Sequence, residues 1–475
     1  MKSMPTIAVP EPSEEYLESL LATSRGVAQK LLELGFDRRA RVLHSVGKLW
    51  REKLESGELD ELVRELTKST GYSVKNIELD LYFVSEVLNE ESLRGLFESS
   101  LVGGYRSIDS PVEVAPGEFI WNRPMGTVFI IASGNSVVPP VLAASTSILA
   151  GNLTILRPSQ TNLVAVNKVF ELISELASTG SFEAGVMGEA AKVLYMSHDS
   201  PTLRYLLEEA PVSVVNYWGG EPGRSRVLSM TVRNPHRPRV VINGPLTGVA
   251  IVDEESADLE TARRLARDVV LYDQQLCSSP TFLLFVGARK PFLEFTKRLA
   301  KALDEVGSKF PIELGEGSFY RLHTLRKSLE LKGVDVFYSR SAQNPWTLVV
   351  SKLDDAGAVT TEWGAYSRRV LEVIQVENLE GLSRGLEYVL NKLRKIGIDG
   401  IQTASYSVSK DRLASILGIL SKYGVYRVVP AGESFLRTPA EPYDGEFIAK
   451  YYTYTVYIRV KDKIGELVAR GAGIP

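Results

Sequence analysis

The sequence predicts an α/β protein built on doubly wound parallel sheets, and three features of the chain predict it. Continuous apolar, β-branched segments alternate with amphipathic segments from residue 126 to residue 220. Strands that are apolar along their whole length are typical of parallel sheets covered by helices on both faces. The same alternation resumes after residue 244, and residues 449–462 form one strongly alternating segment. We therefore expect two parallel-sheet units and one further strand.

Composition and charge restrict the class of protein. The chain has 475 residues, of which 44% are hydrophobic and 24% charged, enough for two or three globular domains. A formal net charge of −3 argues against a nucleic-acid partner. The acidic N-terminus does not match a signal peptide, and no segment reaches the roughly 20 apolar residues of a membrane span. A single cysteine and four scattered histidines exclude an intramolecular disulfide and offer no metal site, so we expect a cytoplasmic protein.

The first 122 residues predict helices and then a hairpin. From Pro12 to about Ser99, apolar residues recur every three or four positions among charges, which indicates several amphipathic helices. Residues 107–122 alternate apolar and polar side chains around Pro116 and Gly117. This pattern predicts a short hairpin or an edge strand.

The alternating part of the chain predicts the elements of both sheets. Strands of the first sheet are expected at residues 126–133, 152–159, 190–197 and 212–220, with helices at 136–151, 162–179 and 200–210. Elements of the second block are expected in "LTGVAIVDE", at a helix over 256–272, in the strand "TFLLFV", and at helices over 291–305 and 379–396. Such an arrangement makes a nucleotide site the first hypothesis.

Polar and glycine-rich segments stand at the carboxyl ends of predicted strands, where open α/β sheets bind ligands. They contain Asn135 in "GN", Arg157 and Ser159 in "RPSQTN", and Gly219 and Gly220 in "WGGE". The common phosphate loops GxGxxG and GxxxxGK[ST] are absent. Arg157 is either a solvated charge or a ligand contact. The two glycines form either a tight turn or a point where a pyrophosphate approaches the backbone and a helix N-terminus.

Cys277 also has two interpretations. Free cysteine is among the most buried residue types and is usually inert. Here the surrounding segment "YDQQLCSSP" is polar, follows a predicted helix and precedes an apolar strand, so the thiol is expected in a loop, where catalytic groups concentrate. No histidine stands near a recognisable partner motif, so a cysteine–histidine pair has little support.

Six motifs occur in a characteristic order and spacing over roughly residues 105–460: "PMGTVFIIASGNSVVPP", "LAGNLTILRPSQTN", "VVNYWGG", "VVINGPLTGVAIVD", "DQQLCSSP" and "PYDG". The ordered set resembles the LuxC-type acyl-CoA reductases, a branch of the aldehyde dehydrogenase superfamily. The resemblance implies a dinucleotide-binding domain at residues 1–108 and 123–243, a catalytic domain at 244–448, and an oligomerisation arm formed by 109–122 and 449–475. It implies a homodimer or homotetramer in which the last strand pairs with a neighbouring subunit. The alternative is a sheet with residues 109–122 of the same chain.

The resemblance also implies the roles of catalytic residues. Cys277, two positions after Gln275, matches the nucleophile, and Asn135 matches an amide of the oxyanion hole; a helix cap is the alternative for Asn135. Attack by Cys277 requires a lowered thiol pKa, supplied by dipoles of the site or by the cofactor. Hydrolytic aldehyde dehydrogenases resemble E-L-G-G-K where this chain reads "VINGP", so Val241 or Ile242 replaces the glutamate that activates water.

A nicotinamide cofactor is implied as well, held by Arg157, Ser159, Gly219, Gly220 and Glu362. Because a guanidinium can grip a 2′-phosphate bidentately, we expect NADPH, with NADH possible. The implied substrate is an acyl-CoA or acyl-protein thioester, which is reduced to the aldehyde through an acyl-cysteine, and we expect a fatty acyl-CoA. Two other functions stay open: an aldehyde dehydrogenase that works oxidatively, and a non-redox acyl-cysteine transferase.

Overall fold

Helices open the described part of the chain, as the sequence predicts. The computed structural model describes residues 10–312, 314–353, 368–462 and 464–465. The first helices are α1 (Glu14–Ala22), α2 (Ser24–Leu34), α3 (Phe36–Glu55), α4 (Asp60–Thr70), α5 (Val74–Val87) and α6 (Glu90–Ser100). The buried Trp50 of α3 donates its indole N–H to the carbonyl of Leu81 in α5 at 2.8 Å. This bond joins the two helices, and α5 then forms one wall of the site described below.

The predicted hairpin follows. After the short helix α7 (Arg106–Asp109), strands β1 (Val112–Ala115) and β2 (Glu118–Pro124) pair antiparallel. The turn between them consists of Pro116 and Gly117, and Gly117 has φ +75°, a conformation that glycine adopts without strain. The Pro-Gly pair therefore decides where the chain reverses.

Five parallel strands form the first sheet, in the spatial order β5-β4-β3-β6-β7. They are β3 (Thr127–Ile131), β4 (Leu153–Arg157), β5 (Ala191–Val193), β6 (Val214–Trp218) and β7 (Arg239–Asn243). The helices between them are α8 (Val138–Leu149), α9 (Leu163–Ser178), α10 (Phe182–Ala190), α11 (Pro201–Glu208) and α12 (Gly223–Thr231). Every residue of β3 and β4 is buried, as their continuous apolar sequences predict. The strand order reverses between β3 and β6, and such a switch point is where doubly wound sheets bind ligands.

Seven strands form the second sheet, in the order β10-β11-β12-β9-β8-β13-β14. They are β8 (Leu246–Asp253), β9 (Pro280–Val286), β10 (Asp335–Tyr338), β11 (Thr347–Ser351), β12 (Val370–Val376), β13 (Gly400–Ser407) and β14 (Arg427–Pro430). The accompanying helices are α13 (Leu259–Val270), α14 (Arg289–Gly307), α15 (Glu316–Leu331), α16 (Leu379–Lys395) and α17 (Lys410–Lys422). Strand β10 is antiparallel to its neighbour, and the other pairs are parallel.

The predicted strand over residues 449–462 is shorter in the structure. A 3₁₀ helix occupies Ile448–Tyr452, and β15 begins at Thr453 and ends at Arg459. Tyr452, the last residue of this helix, is buried, and its hydroxyl accepts a hydrogen bond from the Asn216 amide at 2.6 Å. No described helix is both long enough and apolar enough to cross a membrane.

Strand β15 pairs antiparallel with β2 of the same chain, from Thr453 opposite Pro124 to Arg459 opposite Glu118. The three strands form the sheet β1-β2-β15, with β15 at one edge. The intrachain sheet with residues 109–122 is therefore present, and pairing of this strand with a neighbouring subunit stays a prediction. A homodimer or homotetramer stays a prediction, since the other edge of β15 has no partner strand within the described chain.

Candidate active site

A cavity of about 490 Å³ lies where the carboxyl end of the first sheet faces the amino ends of β8 and β9. Four of the residues that the sequence predicts for the site line this cavity together: Asn135, Gly219, Gly220 and Cys277. The first three follow strands β3 and β6, which are neighbours at the switch point, and Cys277 directly precedes β9. Strand order therefore brings together segments that are far apart in the sequence.

The loop that carries Cys277 has an unusual backbone. After α13, a 3₁₀ helix (Leu271–Gln274) leads into it, and three consecutive residues adopt positive φ: Tyr272 at +53°, Asp273 at +49° and Gln274 at +63°. A left-handed conformation costs a residue with a side chain roughly 1–2 kcal/mol. Such strain persists only where surrounding contacts hold the segment in place.

Two sets of buried contacts hold this loop. Asp273 and Arg369 form an ion pair with both side chains inaccessible to solvent, and the Nε–Oδ1 distance is 2.8 Å. The Gln274 amide donates to the carbonyls of Pro280 and Val370 at 2.7 and 2.8 Å and accepts from the Val370 N–H at 2.7 Å. These contacts hold the cysteine loop against the start of β12. The sequence offers no signal for the contacts with Arg369 and Val370, because these residues lie almost 100 positions further along the chain.

Asn135 contacts the cysteine loop directly. Its side-chain N–H donates to the carbonyl of Gln275 at 2.9 Å, and its side-chain oxygen accepts from the Ser133 hydroxyl at 2.9 Å. The Tyr72 hydroxyl donates to its backbone carbonyl at 3.1 Å. These bonds fix the orientation of the amide, whose second N–H is available to an oxyanion in the cavity.

Replacing Asn135 by alanine is expected to lower kcat by roughly 10² to 10³, the usual cost of one oxyanion-hole donor, with little change in KM for the cofactor. Steady-state kinetics measures both parameters. Ser133→Ala is the control, since it removes one bond to Asn135 but leaves the amide N–H groups in place. An unchanged kcat in Asn135→Ala would assign this residue to the support of the loop alone.

The electrostatic environment of Cys277 differs from the expectation. The side chain is partly exposed, and the backbone N–H of Leu246 donates to its sulfur. Desolvation, followed by the negative charge of Asp444, nevertheless raises the pKa of Cys277 to about 11. The dipoles of the site alone therefore do not lower the pKa of this thiol, and a lowering by the bound cofactor stays a prediction. The thiol is therefore protonated at neutral pH in the absence of ligands, so attack on a substrate requires that the proton be taken away.

Asp444 is the main residue of this cavity that the sequence did not assign. It belongs to the motif "PYDG", which contributes to the family resemblance but received no role. Its carboxylate accepts from the backbone N–H of Gly244 at 3.0 Å and from the side chain of Gln402. An aspartate followed by glycine indicates only a turn, and nothing in the local sequence links it to Cys277.

The glycines after β6 keep the cavity open. A side-chain carbon on Gly219 would lie 2.8 Å from the Tyr217 hydroxyl, and one on Gly220 would lie 3.3 Å from Pro245. The backbone at this point therefore approaches the cavity with no intervening side chain, as a pyrophosphate site requires. Helix α12 begins just beyond, at Gly223.

The other predicted cofactor residues lie apart from this cavity or outside the described part of the chain. Arg157 is buried at the end of β4, where its Nε donates to the carbonyl of Met196 at 2.8 Å, and burial lowers its pKa. The Ser159 hydroxyl lies 3.2 Å from that of Thr161. Glu362 lies outside the described residues.

Whether a nicotinamide fits the cavity can be judged from two polar atoms of residues that line it. The indole nitrogen of Trp218 and the side-chain oxygen of Asn243 are buried and have no hydrogen-bond partner in the described structure. Their residues end β6 and β7, next to Gly219 and Gly244. An unused donor and an unused acceptor are the groups that a carboxamide pairs with. The cavity therefore suits the nicotinamide end of a dinucleotide.

Comparison with known protein families identifies the family to which this chain is related. The profile described as acyl-CoA reductase (LuxC) matches residues 38–450. The chain belongs to the LuxC acyl-CoA reductase family. This LuxC-family protein is accordingly an oxidoreductase that acts on acyl thioesters.

Curated relatives of this LuxC-family chain are distant in sequence. It is 23% identical over 352 residues to the long-chain acyl-protein thioester reductase of Aliivibrio fischeri. The aligned region covers 73% of this chain and 69% of that protein. It is 22% identical over 435 residues to the long-chain acyl-protein thioester reductase of Photobacterium phosphoreum, covering 89% and 82% of the two proteins.

Solved structures establish the fold. An NAD-dependent aldehyde dehydrogenase from Sinorhizobium meliloti superposes with a TM-score of 0.70 at 17% identity, covering 95% of this chain and 88% of that chain. The glyceraldehyde-3-phosphate dehydrogenase GapN from Methanocaldococcus jannaschii, solved with NADP, gives a TM-score of 0.70 at 13% identity and covers 96% of each chain. The aldehyde dehydrogenase-like fold that the sequence predicts is confirmed.

Proposed function

We propose that this chain reduces a fatty acyl thioester to the aldehyde with NADPH, through an acyl-cysteine on Cys277. The observation that carries the proposal is that the thiol of Cys277 and the amide of Asn135 line one cavity at the switch point of a doubly wound sheet. Covalent reduction of a carbonyl group requires a nucleophile and a fixed hydrogen-bond donor, placed next to a sheet edge of the kind that binds dinucleotides.

One wall of the cavity is apolar, which favours a long acyl chain in the substrate. It is formed by apolar side chains from α5, α6, α8 and the segment after β14: Phe83, Val87, Leu96, Val138, Leu142, Phe435 and Ile448. Apolar surface of this extent binds hydrocarbon and gives little to a short polar acid. The two curated relatives named above are long-chain reductases, which agrees with this wall.

The chemistry begins with Cys277. Its thiolate attacks the thioester carbonyl, and the amide of Asn135 and the backbone N–H of Cys277 stabilise the oxyanion. The bond to the leaving thiol then breaks, which leaves the acyl group on Cys277. Gly219 and Gly220 would hold a nicotinamide cofactor, which would supply the hydride for reduction of the acyl group on Cys277. Cys277 is finally expelled from the hemithioacetal as the aldehyde forms.

The fate of the acyl-cysteine separates this function from oxidative hydrolysis. Val241 and Ile242 lie in strand β7, in the segment that the family resemblance matches to E-L-G-G-K, whose glutamate activates water in hydrolytic aldehyde dehydrogenases. With no carboxylate at these positions, the acyl group on Cys277 should persist until it is reduced.

One set of assays tests the proposal. NADPH absorbance is followed with acyl-CoA substrates of two to sixteen carbons, and NAD(P)⁺ reduction is followed with aldehydes with and without free CoA. We expect NADPH oxidation that favours the longer chains, and a single acyl adduct on Cys277 by mass spectrometry when cofactor is omitted. Oxidation of aldehyde to free acid without CoA would support the oxidative alternative. An adduct that passes to another acceptor with no NADPH consumption would support the transferase.

Cofactor choice is tested at Arg157. The Nε of Arg157 donates to the carbonyl of Met196. No hydrogen bond of its two terminal nitrogens is found among the described residues, so these nitrogens can bind an anion. Arg157→Ala is therefore expected to raise KM for NADPH at least tenfold more than KM for NADH. Ser159→Ala is the milder companion variant, since it removes one hydroxyl and no charge. Equal effects of Arg157→Ala on both cofactors would remove this residue from 2′-phosphate recognition.

A further inference from the structure

We propose that Asp444 is the general base of the acylation step, which takes the proton from the Cys277 thiol and delivers it to the departing thiol. This inference rests on the thioester chemistry proposed above and assigns a role to the motif "PYDG". It names a residue that neither the position of Cys277 nor that of Asn135 predicts.

Asp444 and Cys277 both lie close to the same glycine, Gly244. The N–H of Gly244 donates to Asp444 Oδ2 at 3.0 Å, and a side-chain carbon on Gly244 would lie 3.9 Å from Cys277 Sγ. Gly244 has φ +81°, a conformation that glycine adopts without strain, so its backbone N–H can point at the carboxylate while its Cα side faces the sulfur. Both Asp444 and Cys277 line the same cavity, and the charge of Asp444 reaches the thiol strongly enough to raise its pKa.

The surroundings hold the carboxylate in position. The Gln402 amide donates to Asp444, and its oxygen accepts from Arg437 at 2.8 Å. Asp444 itself has φ +48°, a conformation that aspartate adopts at a cost and that the neighbouring contacts must maintain. Desolvation raises the pKa of Asp444, against the opposing effects of Gln402 and Arg437. Its affinity for a proton is therefore closer to that of a thiol than an exposed aspartate's is.

Other titratable groups near the thiol are engaged elsewhere. Arg437 faces both Asp444 and Cys277 and stacks on the ring of Tyr443, whose own pKa is raised by burial. Glu441, also on the cavity wall, pairs with Arg427 at 2.6 Å. None of the four histidines of the sequence lines the cavity. Among the described residues, Asp444 is the carboxylate whose charge acts on Cys277.

The proton balance closes within the acylation step. The Asp444 carboxylate takes the S–H proton as the sulfur of Cys277 forms its bond to the carbonyl carbon. When the tetrahedral intermediate collapses, the bond to the leaving sulfur breaks, and the protonated Asp444 returns the proton to that sulfur. The products are acyl-Cys277, a neutral thiol and the ionised Asp444. No oxidant, reductant or further reactant is needed.

The test compares two reactions of Cys277 in wild type and in Asp444→Asn, both without cofactor. Acylation by hexadecanoyl-CoA, followed by mass spectrometry under single-turnover conditions, is expected to slow by roughly 10² or more, the usual contribution of a general base. Alkylation by iodoacetamide at pH 8 is expected to become faster, because the negative charge that raises the thiol pKa is gone. A merely structural role of Asp444 cannot produce this opposite pair of changes.

Two further variants sharpen the result. Asp444→Glu keeps the carboxylate and should recover part of the acylation rate. Glu446→Gln removes an exposed negative charge two residues away and should leave both rates within threefold of wild type. Asp444→Asn with a wild-type acylation rate would overturn the inference, as would equal losses in acylation and alkylation together with a lowered melting temperature. A wild-type adduct that hydrolyses while the Asp444→Asn adduct persists would also overturn it, by assigning Asp444 to water activation.

The inference and the proposed function fail separately. If wild-type protein forms no acyl adduct with any thioester, the proposed function is wrong whatever Asp444 does. If wild type is acylated on Cys277 and reduces the adduct with NADPH, but Asp444→Asn is acylated equally fast, only the role of Asp444 is wrong.

Discussion

Cys277→Ala and Cys277→Ser are expected to lose turnover by more than ~10⁴-fold while keeping the fold, because every chemical step of the proposed reaction passes through a bond to this sulfur. The loop does not depend on the thiol for its structure, since its backbone is held by Asp273 and Gln274. NADPH oxidation with hexadecanoyl-CoA measures the activity, and thermal unfolding measures the stability. Both variants should unfold within a few degrees of wild type.

Mass spectrometry supplies the control for this prediction. Wild type incubated with acyl-CoA alone should gain one acyl group, and Cys277→Ala should gain none. Because Cys277 is the only cysteine in the sequence, an adduct on the alanine variant would have to sit on another nucleophile. Substantial reductase activity in Cys277→Ala would sink the covalent mechanism.

Arg369→Met is expected to have the second large effect. Arg369 and Asp273 are both inaccessible to solvent, so the substitution leaves the carboxylate of Asp273 buried without its charged partner. Breaking a buried pair in this way typically costs about 3–5 kcal/mol of stability. Arg369 also donates to the Asn344 side chain at 2.7 Å and to the carbonyl of Phe310, and these bonds are lost as well. Urea unfolding followed by fluorescence gives the free energy of unfolding.

A matched set of variants identifies the cause of this loss. Arg368→Met removes a neighbouring, partly exposed arginine whose Nη1 lies 3.6 Å from Asp273 Oδ2 and which also donates to the carbonyl of Thr70; it should cost less than Arg369→Met, because the Asp273–Arg369 pair remains. The double variant Asp273→Leu with Arg369→Met removes both charges and should be more stable than Arg369→Met alone. If Arg368→Met proves as damaging as Arg369→Met, the buried pair is not what holds the loop.

Activity should follow stability at this ion pair. In Arg369→Met, residues 272–274 lose a contact that maintains their left-handed backbone, so Cys277 and the carbonyl of Gln275 move relative to Asn135. We expect kcat to fall even at temperatures where the variant remains folded. The acylation rate of Cys277 reports this displacement separately from hydride transfer.

The resting thiol has a consequence for reactivity. With a pKa raised by burial and by Asp444, Cys277 is largely protonated at neutral pH and should react slowly with electrophiles and oxidants. Reaction then depends on a thioester in the cavity, next to both Cys277 and Asp444. This arrangement protects the only cysteine of the chain between turnovers.

Local patterns in the sequence determined the fold class and part of the site. The fully apolar strands β3 and β4 could be read directly, because burial on both faces leaves no position for a polar side chain. The ends of β3 and β6 placed Asn135 and the pair Gly219 and Gly220 at one edge, since parallel strands share their carboxyl ends. The polar segment before "TFLLFV" placed Cys277 in a loop at the start of β9.

Tertiary structure alone decided which distant residues meet. The pairing of Asp273 with Arg369, the approach of Asp444 to Cys277 through Gly244, and the pairing of β15 with β2 all join segments separated by about 100 residues or more. Periodicity reports which face of an element is buried, but it does not report the strand order that brings two loops together. The raised pKa of Cys277 in the absence of ligands could not be predicted for the same reason, because desolvation and the charge of Asp444 arise only when the chain has folded around the thiol.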